Sequence, residues 1–323
     1  MDEVLEYVEE CKVKPEMDVD DLISCYHRIH GFMAGHLVEA ISILEEGVPR
    51  SRVRVLTFTG NLVATGLRGI LAQLLDEGIF NVVITTAGAL DHDIAKFMGA
   101  RYYKGRFELD DEEVYKRGFH RLGNVLVPIE GYGPLVEKFV GQLVSKLGSG
   151  SYGVYELLKV AGEEMKEDPN SILGAAVRSG AYVFVPGWPD GAFGTALFME
   201  AKRLGVNLTV NYFKDMEVLA DIFFPRKGEA LALIVGGGIS KHHAIWWAQF
   251  REGLDWAVYI TTAVEYDGSL SGAHPREAIS WGKIKARARK VVVYGDATIM
   301  LPFIAYRLVK LKKTGKVLPP LEV

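Results

Sequence analysis

The 323-residue chain reads as an α/β protein: a doubly wound, mostly parallel sheet with helices on both faces, of the Rossmann-like kind. Three observations predict this. Short apolar runs rich in β-branched residues recur without polar alternation, as strands buried on both faces require. Each run ends in a turn of small or hydroxyl residues. Each turn leads into a stretch of helical period, so strands and helices alternate.

The elements follow in order. A helical lead-in occupies about residues 1–50, with Asp20–Gly47 as its body and GFMAGHLVEAISIL as its amphipathic part. The α/β core takes up about residues 51–323. VRVLTFTG (Val53–Gly60) leads into NLVATGLRGILAQLLDEG, and NVVITTAG (Asn81–Gly88) into ALDHDIAKFMG. The middle, Tyr102 to Asp168, is less regular, with a polar connector (ELDDEEVYKRG) and two helices. AYVFVPG (Ala181–Gly187) leads into FGTALFMEAKRLG, and ALALIVGGG (Ala230–Gly238) into ISKHHAIWWAQFREG. WAVYITTA (Trp256–Ala263) is followed by EAISWGKIK (Glu277–Lys285), which reads as a helix start with Trp281 and Lys283 in its first turn. KIKARARK then reads as a basic exposed face, and VVVYGDA (Val291–Ala297) precedes a last helix. No linker, low-complexity tract or repeat interrupts the series, so one domain over 1–323 is expected.

Composition narrows the function. Hydrophobic residues make up 49% of the chain and the net charge is −4, so a nucleic-acid partner is not expected. Apolar runs are strand-sized, too short for a membrane span. The acidic start, MDEVLEYVEECK, lacks the apolar region of a signal peptide. Cys11 and Cys25 match no metal spacing and are too few for a disulfide framework. A reducing, cytoplasmic setting is therefore expected.

In an open parallel sheet, ligands gather at the carboxyl ends of the strands. Small or hydroxyl residues stand there in TGN (59–61), TTAG (85–88), GWPDG (187–191), GGG (236–238), TTA (261–263) and GDA (295–297). Any one of these turns is explained by turn geometry. Together they favour a nucleotide, whose pyrophosphate would meet free N–H groups at helix N-termini. GGGISKHH is not the GxGxxG fingerprint, and TTA puts no acid after the next strand. Asp190 and Asp296 are the remaining candidates for ribose hydroxyls, with helix N-capping as the alternative role.

His242, in KHH, is a candidate general base, since imidazole titrates near working pH; a capping or core histidine is the alternative. Adjacent histidines leave a helix on different sides and no HxxxH accompanies them, so no metal site is expected. Lys283 is a candidate nucleophile. An apolar setting favours the neutral amine that attacks carbonyls and imines, Trp281 could exclude water or face a cation, and Glu277 could bind an ammonium. A solvated helix is the alternative.

The block AVYITTAVEYDGSLSGAHPREAISWGKIK (Ala257–Lys285) is similar to the signature around the active lysine of deoxyhypusine synthases. TGNLVATGLRGILAQLL, NVVITTAGALDHDIAKFMGA, HRLGNVLVP, PGWPDGAFGTALF and IVGGGISKHHAI resemble that family too, in the same order, from about Gly31 to Arg307. The resemblance implies NAD-dependent transfer of the aminobutyl group of spermidine to a lysine of translation initiation factor 5A. It also implies a homotetramer with sites shared across a dimer interface. On this resemblance Lys283 would hold the imine and His242 would take the proton. Gly60, Asn61, Leu62, Val63, Ala64, Thr86, Ala87, Gly88, Asp190, Gly237, Thr262, Ala263, Asp296 and Ala297 match NAD-contacting positions. Asp91, Gly268, Ser269, Glu277, Ser280, Trp281 and Gly282 match the polyamine side.

The chain departs from the family pattern in one region. Thr195 and Leu270 stand where aspartates are usual, and His92 where a glutamate is. A buried ammonium without a carboxylate is costly, so amine recognition or the amine itself is expected to differ. Asp91, Asp267 and Glu277 are the carboxylates left to compensate. Three other readings compete: a homospermidine-synthase-like transferase using another polyamine or a small-amine acceptor, a non-catalytic paralogue, and a plain dehydrogenase. Intact Lys283 and His242 speak against the last two.

Overall fold

A computed structural model describes residues 6–315, 317 and 321; the first residues of the acidic start, Met1–Leu5, lie outside them. Six strands form the central sheet: β1 (Ser51–Thr57), β2 (Val82–Ile84), β3 (Tyr182–Phe184), β4 (Glu229–Val235), β5 (Leu254–Thr261) and β6 (Ile284–Tyr294). Their order is β3-β2-β1-β4-β5-β6, and every neighbouring pair is parallel. The chain builds outward from β1 to β3, returns to the centre, and builds outward again from β4 to β6. This reversal leaves a crevice above the carboxyl ends of β1 and β4.

Alternation along the strands divides the core into two layers. Leu56, Leu233, Val258 and Val293 face the helices Met33–Gly47, Arg68–Asp76, Ala87–Phe97, Gly133–Leu147 and Ala297–Lys312. Val53, Val55, Ile234, Ala257 and Val292 face the other layer, where the helices Tyr212–Phe223 and Gly238–Ala248 lie. Arg54 is buried in the first layer. Its guanidinium donates to the carbonyls of Ile79, Ser51 and Gly78, and burial lowers its pKa to about 10.

Several elements differ from the sequence expectation. EAISWGKIK does not start a helix: the helix is Pro275–Ser280, and β6 begins at Ile284. Pro275 opens that helix beneath a cap in which Arg276 N donates to His274 Nδ1 at 3.1 Å. Gly282, with φ of 67°, ends it in a left-handed turn that glycine favours. KIKARARK is accordingly not a helical face. Lys285, Arg287 and Arg289 recur at a spacing of two, the period of a strand, and β6 is an edge of the sheet, where basic side chains are common.

The lead-in is two helices, Val19–Ile29 and Met33–Gly47, broken where His30 and Phe32 take positive φ. NLVATGLRGILAQLLDEG likewise forms two helices, Gly60–Ala64 and Arg68–Asp76. Gly133–Leu147 and Val154–Met165 are helices of the middle region, where two were expected, and the polar connector ELDDEEVYKRG holds a further one, Asp111–Lys116. The apolar pattern also gives no sign of the helices Ile172–Ser179 and Tyr212–Phe223 or of two small sheets, one antiparallel and three-stranded, one parallel and two-stranded. Their strands are too short to establish a period.

Cys11 and Cys25 are joined in a disulfide, which corrects the reduced state expected from their small number. The helix Val19–Ile29 presents Cys25 to the preceding segment, which also pairs with it through Glu9 N and Arg28 O at 3.0 Å. Proximity rather than count decides the bond. Among the described residues no helix is long and apolar enough to cross a membrane.

Candidate active site

The crevice between β1 and β4 opens into a cavity of about 490 Å³ lined by Thr59, Thr86, Gly236–Gly238, Thr261–Ala263, Asp267 and Ser269, among others. Backbone rather than side chain forms much of this wall. Gly236 and Gly238 have φ of 87° and 65°, a region that L side chains avoid. Gly237 is constrained differently: a Cβ there would lie 2.2 Å from Ser271 Oγ and 2.4 Å from Ser271 Cα. The helices Ala87–Phe97 and Gly238–Ala248 begin at Thr86 and Gly237, and neither start carries a side-chain cap. Their first N–H groups and dipoles therefore suit an anion in the crevice.

On the β1 side, the short helix Gly60–Ala64 packs its first residue against Gly88. Its C-terminal end is held from below. Lys96 Nζ donates to the carbonyls of Val63, Ala64 and Thr65 at 2.6, 3.0 and 2.8 Å. Burial lowers the pKa of Lys96 to about 8.

Lys283 stands between the helix Pro275–Ser280 and β6, and only 8% of it is exposed. Its Nζ lies 5.2 Å from the ring centre of Trp281 and 5.8 Å from that of Trp246. His242 stacks on Trp246, with ring centres 5.8 Å apart. These two residues are four apart on the helix that starts at the cavity, so they share one face. Burial, and then the charge of Lys283, lower the pKa of His242 below its ordinary value. Both effects favour the neutral imidazole, the form able to accept a proton beside an amine.

The polyamine-side carboxylates are unevenly placed. Glu277 is exposed near this cluster. Asp267 is exposed on the cavity loop, accepting from Ser269 N at 2.6 Å. Asp91 is fully buried and already engaged: it accepts from Ala192 N and Phe193 N, both at 2.8 Å, and from Tyr132 Oη at 3.1 Å. It thus holds the start of the helix Ala192–Leu204. His92 is buried beside it, with Nδ1 2.8 Å from Tyr102 Oη and its ring 4.9 Å from that of Tyr132. Burial, reinforced by Lys96, lowers the pKa of His92 to about 4. Thr195 is exposed and returns its hydroxyl to Gly191 O.

Of the residues singled out from sequence, Thr86, Gly237, Thr262, Ala263 and Ser269 meet at the cavity, with Gly268 in the same loop at φ of 72°. Gly60 and Gly88 support each other beside it, and Asn61 Oδ1 lies 2.5 Å from Thr59 Oγ1. Leu62, Val63, Ala64 and Ala87 are buried and contribute backbone and packing. Asp190 lies exposed in the turn after β3, outside the cavity lining. Asp296 caps the helix Ala297–Lys312, accepting from Thr298 N at 2.8 Å. Ser280, Trp281 and Gly282 are exposed around Lys283.

Sequence reasoning did not single out Trp246, Lys96, Ser271 or Tyr132, or give Lys241 a role. The i, i+4 spacing of His242 and Trp246 could have revealed Trp246; the others meet the site only through tertiary contacts.

A family model described as deoxyhypusine synthase matches residues 21–308. The chain belongs to the deoxyhypusine synthase family. A protein of Aeropyrum pernix described as a probable deoxyhypusine synthase is 68% identical, over 94% of this chain and 98% of its own. One of Pyrobaculum calidifontis, described in the same words, is 56% identical over 88% and 97%. The crystal structure of a protein assigned as a deoxyhypusine synthase of Entamoeba histolytica superposes with a TM-score of 0.64 at 20% identity, covering 93% of this chain and 96% of that one. That likeness supports the α/β fold. Deoxyhypusine synthases are transferases of hypusine biosynthesis, and such chemistry is what this site has to explain.

Proposed function

We propose that this chain transfers the aminobutyl group of spermidine to a lysine of translation initiation factor 5A, using NAD and an imine on Lys283. The observation that carries this reading is the placement of Lys283, shielded by Trp281 and Trp246, beside His242 on the helix that begins at the crevice.

The crevice suits a dinucleotide. Gly236–Gly238 offer a bare backbone wall, a Cβ at Gly237 has no room, and two uncapped helix starts face the place a pyrophosphate would take. Bound there, NAD would supply the hydride chemistry of amine oxidation and reduction. The protein's own contribution is different. His242 accepts a proton from the amine, the indoles keep water from the reacting carbon, and Lys283 Nζ takes up the four-carbon unit as an imine while 1,3-diaminopropane leaves, until the acceptor lysine replaces Lys283. The same reading includes a cytoplasmic homotetramer.

Mass spectrometry after incubation with NAD and spermidine, then borohydride, tests the proposal. A four-carbon amine adduct on Lys283 supports it; an unmodified Lys283 with NAD bound rejects spermidine as donor.

A second reading, a homospermidine-synthase-like transferase with another amine, is favoured by one observation. Thr195 and His92 bring no carboxylate to the amine side, and Asp91 is engaged by two backbone amides. Turnover with putrescine as acceptor and none with factor 5A would decide for it.

A further inference from the structure

Lys241 is 1% exposed, yet it belongs neither to the cavity wall nor to the Lys283 cluster. It precedes His242 on the helix Gly238–Ala248, so its side chain leaves roughly 100° round the helix from that histidine. It runs beneath the segment 262–274, where Nζ donates to Ala273 O at 2.7 Å and lies 4.3 Å from the ring centre of Tyr259 on β5. Burial lowers its pKa to about 8, and Glu277, in the helix that follows, opposes that shift, so the amine still carries its charge at pH 7.

The segment it reaches needs an anchor. Residues 264–269 are exposed, while Asp267 and Ser269 line the cavity. Ser271 lies over Gly237, and Thr261 Oγ1 donates to Ser271 O at 3.2 Å. Beyond Ala273 the chain enters directly the helix of Glu277 and then Trp281 and Lys283. A charged donor buried against a carbonyl makes a strong bond, because water cannot replace it. A lysine buried only for packing would gain more as a methionine.

We propose that Lys241 is a positioning residue. It ties the segment 262–274 to the helix of His242, and so sets Asp267, Ser269 and Glu277 in register with Lys283. Which amine those groups then receive rests on the transferase reading above; the anchoring itself does not.

The test compares the full-length protein with Lys241→Met, which keeps the stem and removes the charge and donor. Hydrogen exchange read by mass spectrometry is expected to quicken about ten-fold or more in peptides from 262–274, with β1, β4 and β5 unchanged. In the same variant KM for spermidine is expected to rise by about ten-fold, with kcat changed far less. Unchanged exchange in 262–274 would overturn the proposal. So would faster exchange throughout the chain, which would make Lys241 an ordinary core residue. If the unmodified protein takes no spermidine, the transferase reading fails, and the exchange data still decide the role of Lys241.

Discussion

The ammonium of Lys283 lies 5.2 Å from the ring centre of Trp281, although only Gly282 separates them in sequence. The left-handed turn at Gly282 folds the backbone so that the two side chains meet. The indole stays largely exposed while the lysine is buried, so Trp281 acts as a cover rather than as core. Replacing Lys283 by Ala should lower transfer by at least about three orders of magnitude. NAD affinity, measured by fluorescence titration, should be retained, because the crevice is built from other residues. A large loss of NAD affinity would contradict the role assigned to this amine.

His242 is the second group whose role can be measured. Its pKa lies below 6.5 because of burial and the charge of Lys283, so the acid limb of kcat/KM should fall below that pH. Removing the charge in Lys283→Ala should raise the His242 pKa. An NMR titration of the imidazole in both proteins checks the sign.

Gly237 has no room for a methyl group, since Ser271 Cα would lie 2.4 Å from it. Gly237→Ala must push the cavity loop away. A loss of about 1–3 kcal/mol of stability is expected, together with weaker NAD binding. Denaturant unfolding and a binding titration would show both; an unchanged pair would mean that the loop moves freely.

His92 should leave a mark on the pH dependence of stability. Its pKa is about 4 when folded, against an ordinary 6.5. Between these values the unfolded chain binds the extra proton, so stability falls as pH drops from 6.5 toward 4, by roughly 1.4 kcal/mol per pH unit at the steepest. Above pH 6.5 the group contributes no slope. His92→Gln should remove about one proton from the linkage in that window, leaving the share of His243, which burial lowers in the same way.

The two candidate ribose aspartates should separate. Asp296 caps a helix, so Asp296→Ala should cost about 1 kcal/mol of stability. Asp190 is exposed, so Asp190→Ala should leave the melting temperature alone. If it partners a ribose it should also weaken NAD by about ten-fold, roughly the worth of one charged hydrogen bond. Unchanged NAD affinity in Asp190→Ala would remove it from the site.

The parallel sheet, the strand ends and the small residues at them can all be read along the chain. Apolar runs such as ALALIV have no polar face, so they must be covered on both sides. The turns after them, GGG and TTA among others, can be read directly because glycine and threonine suit few places as well. His242 and Lys283 were legible as reactive types. Tertiary structure alone decided what surrounds them. EAISWGKIK was ambiguous because a short helix, a glycine turn and an edge strand share it, and no single period holds over so few residues. Ser271 and Ala273 come to the site from another segment, through contacts that no local pattern encodes, whereas Trp246 shares a helix face with His242. Asp91 shows the limit most plainly. In sequence it is a free carboxylate beside a histidine; folded, it is held by Ala192 N and Phe193 N about a hundred residues away. A buried carboxylate is placed by the donors that satisfy it, and only the assembled fold supplies those.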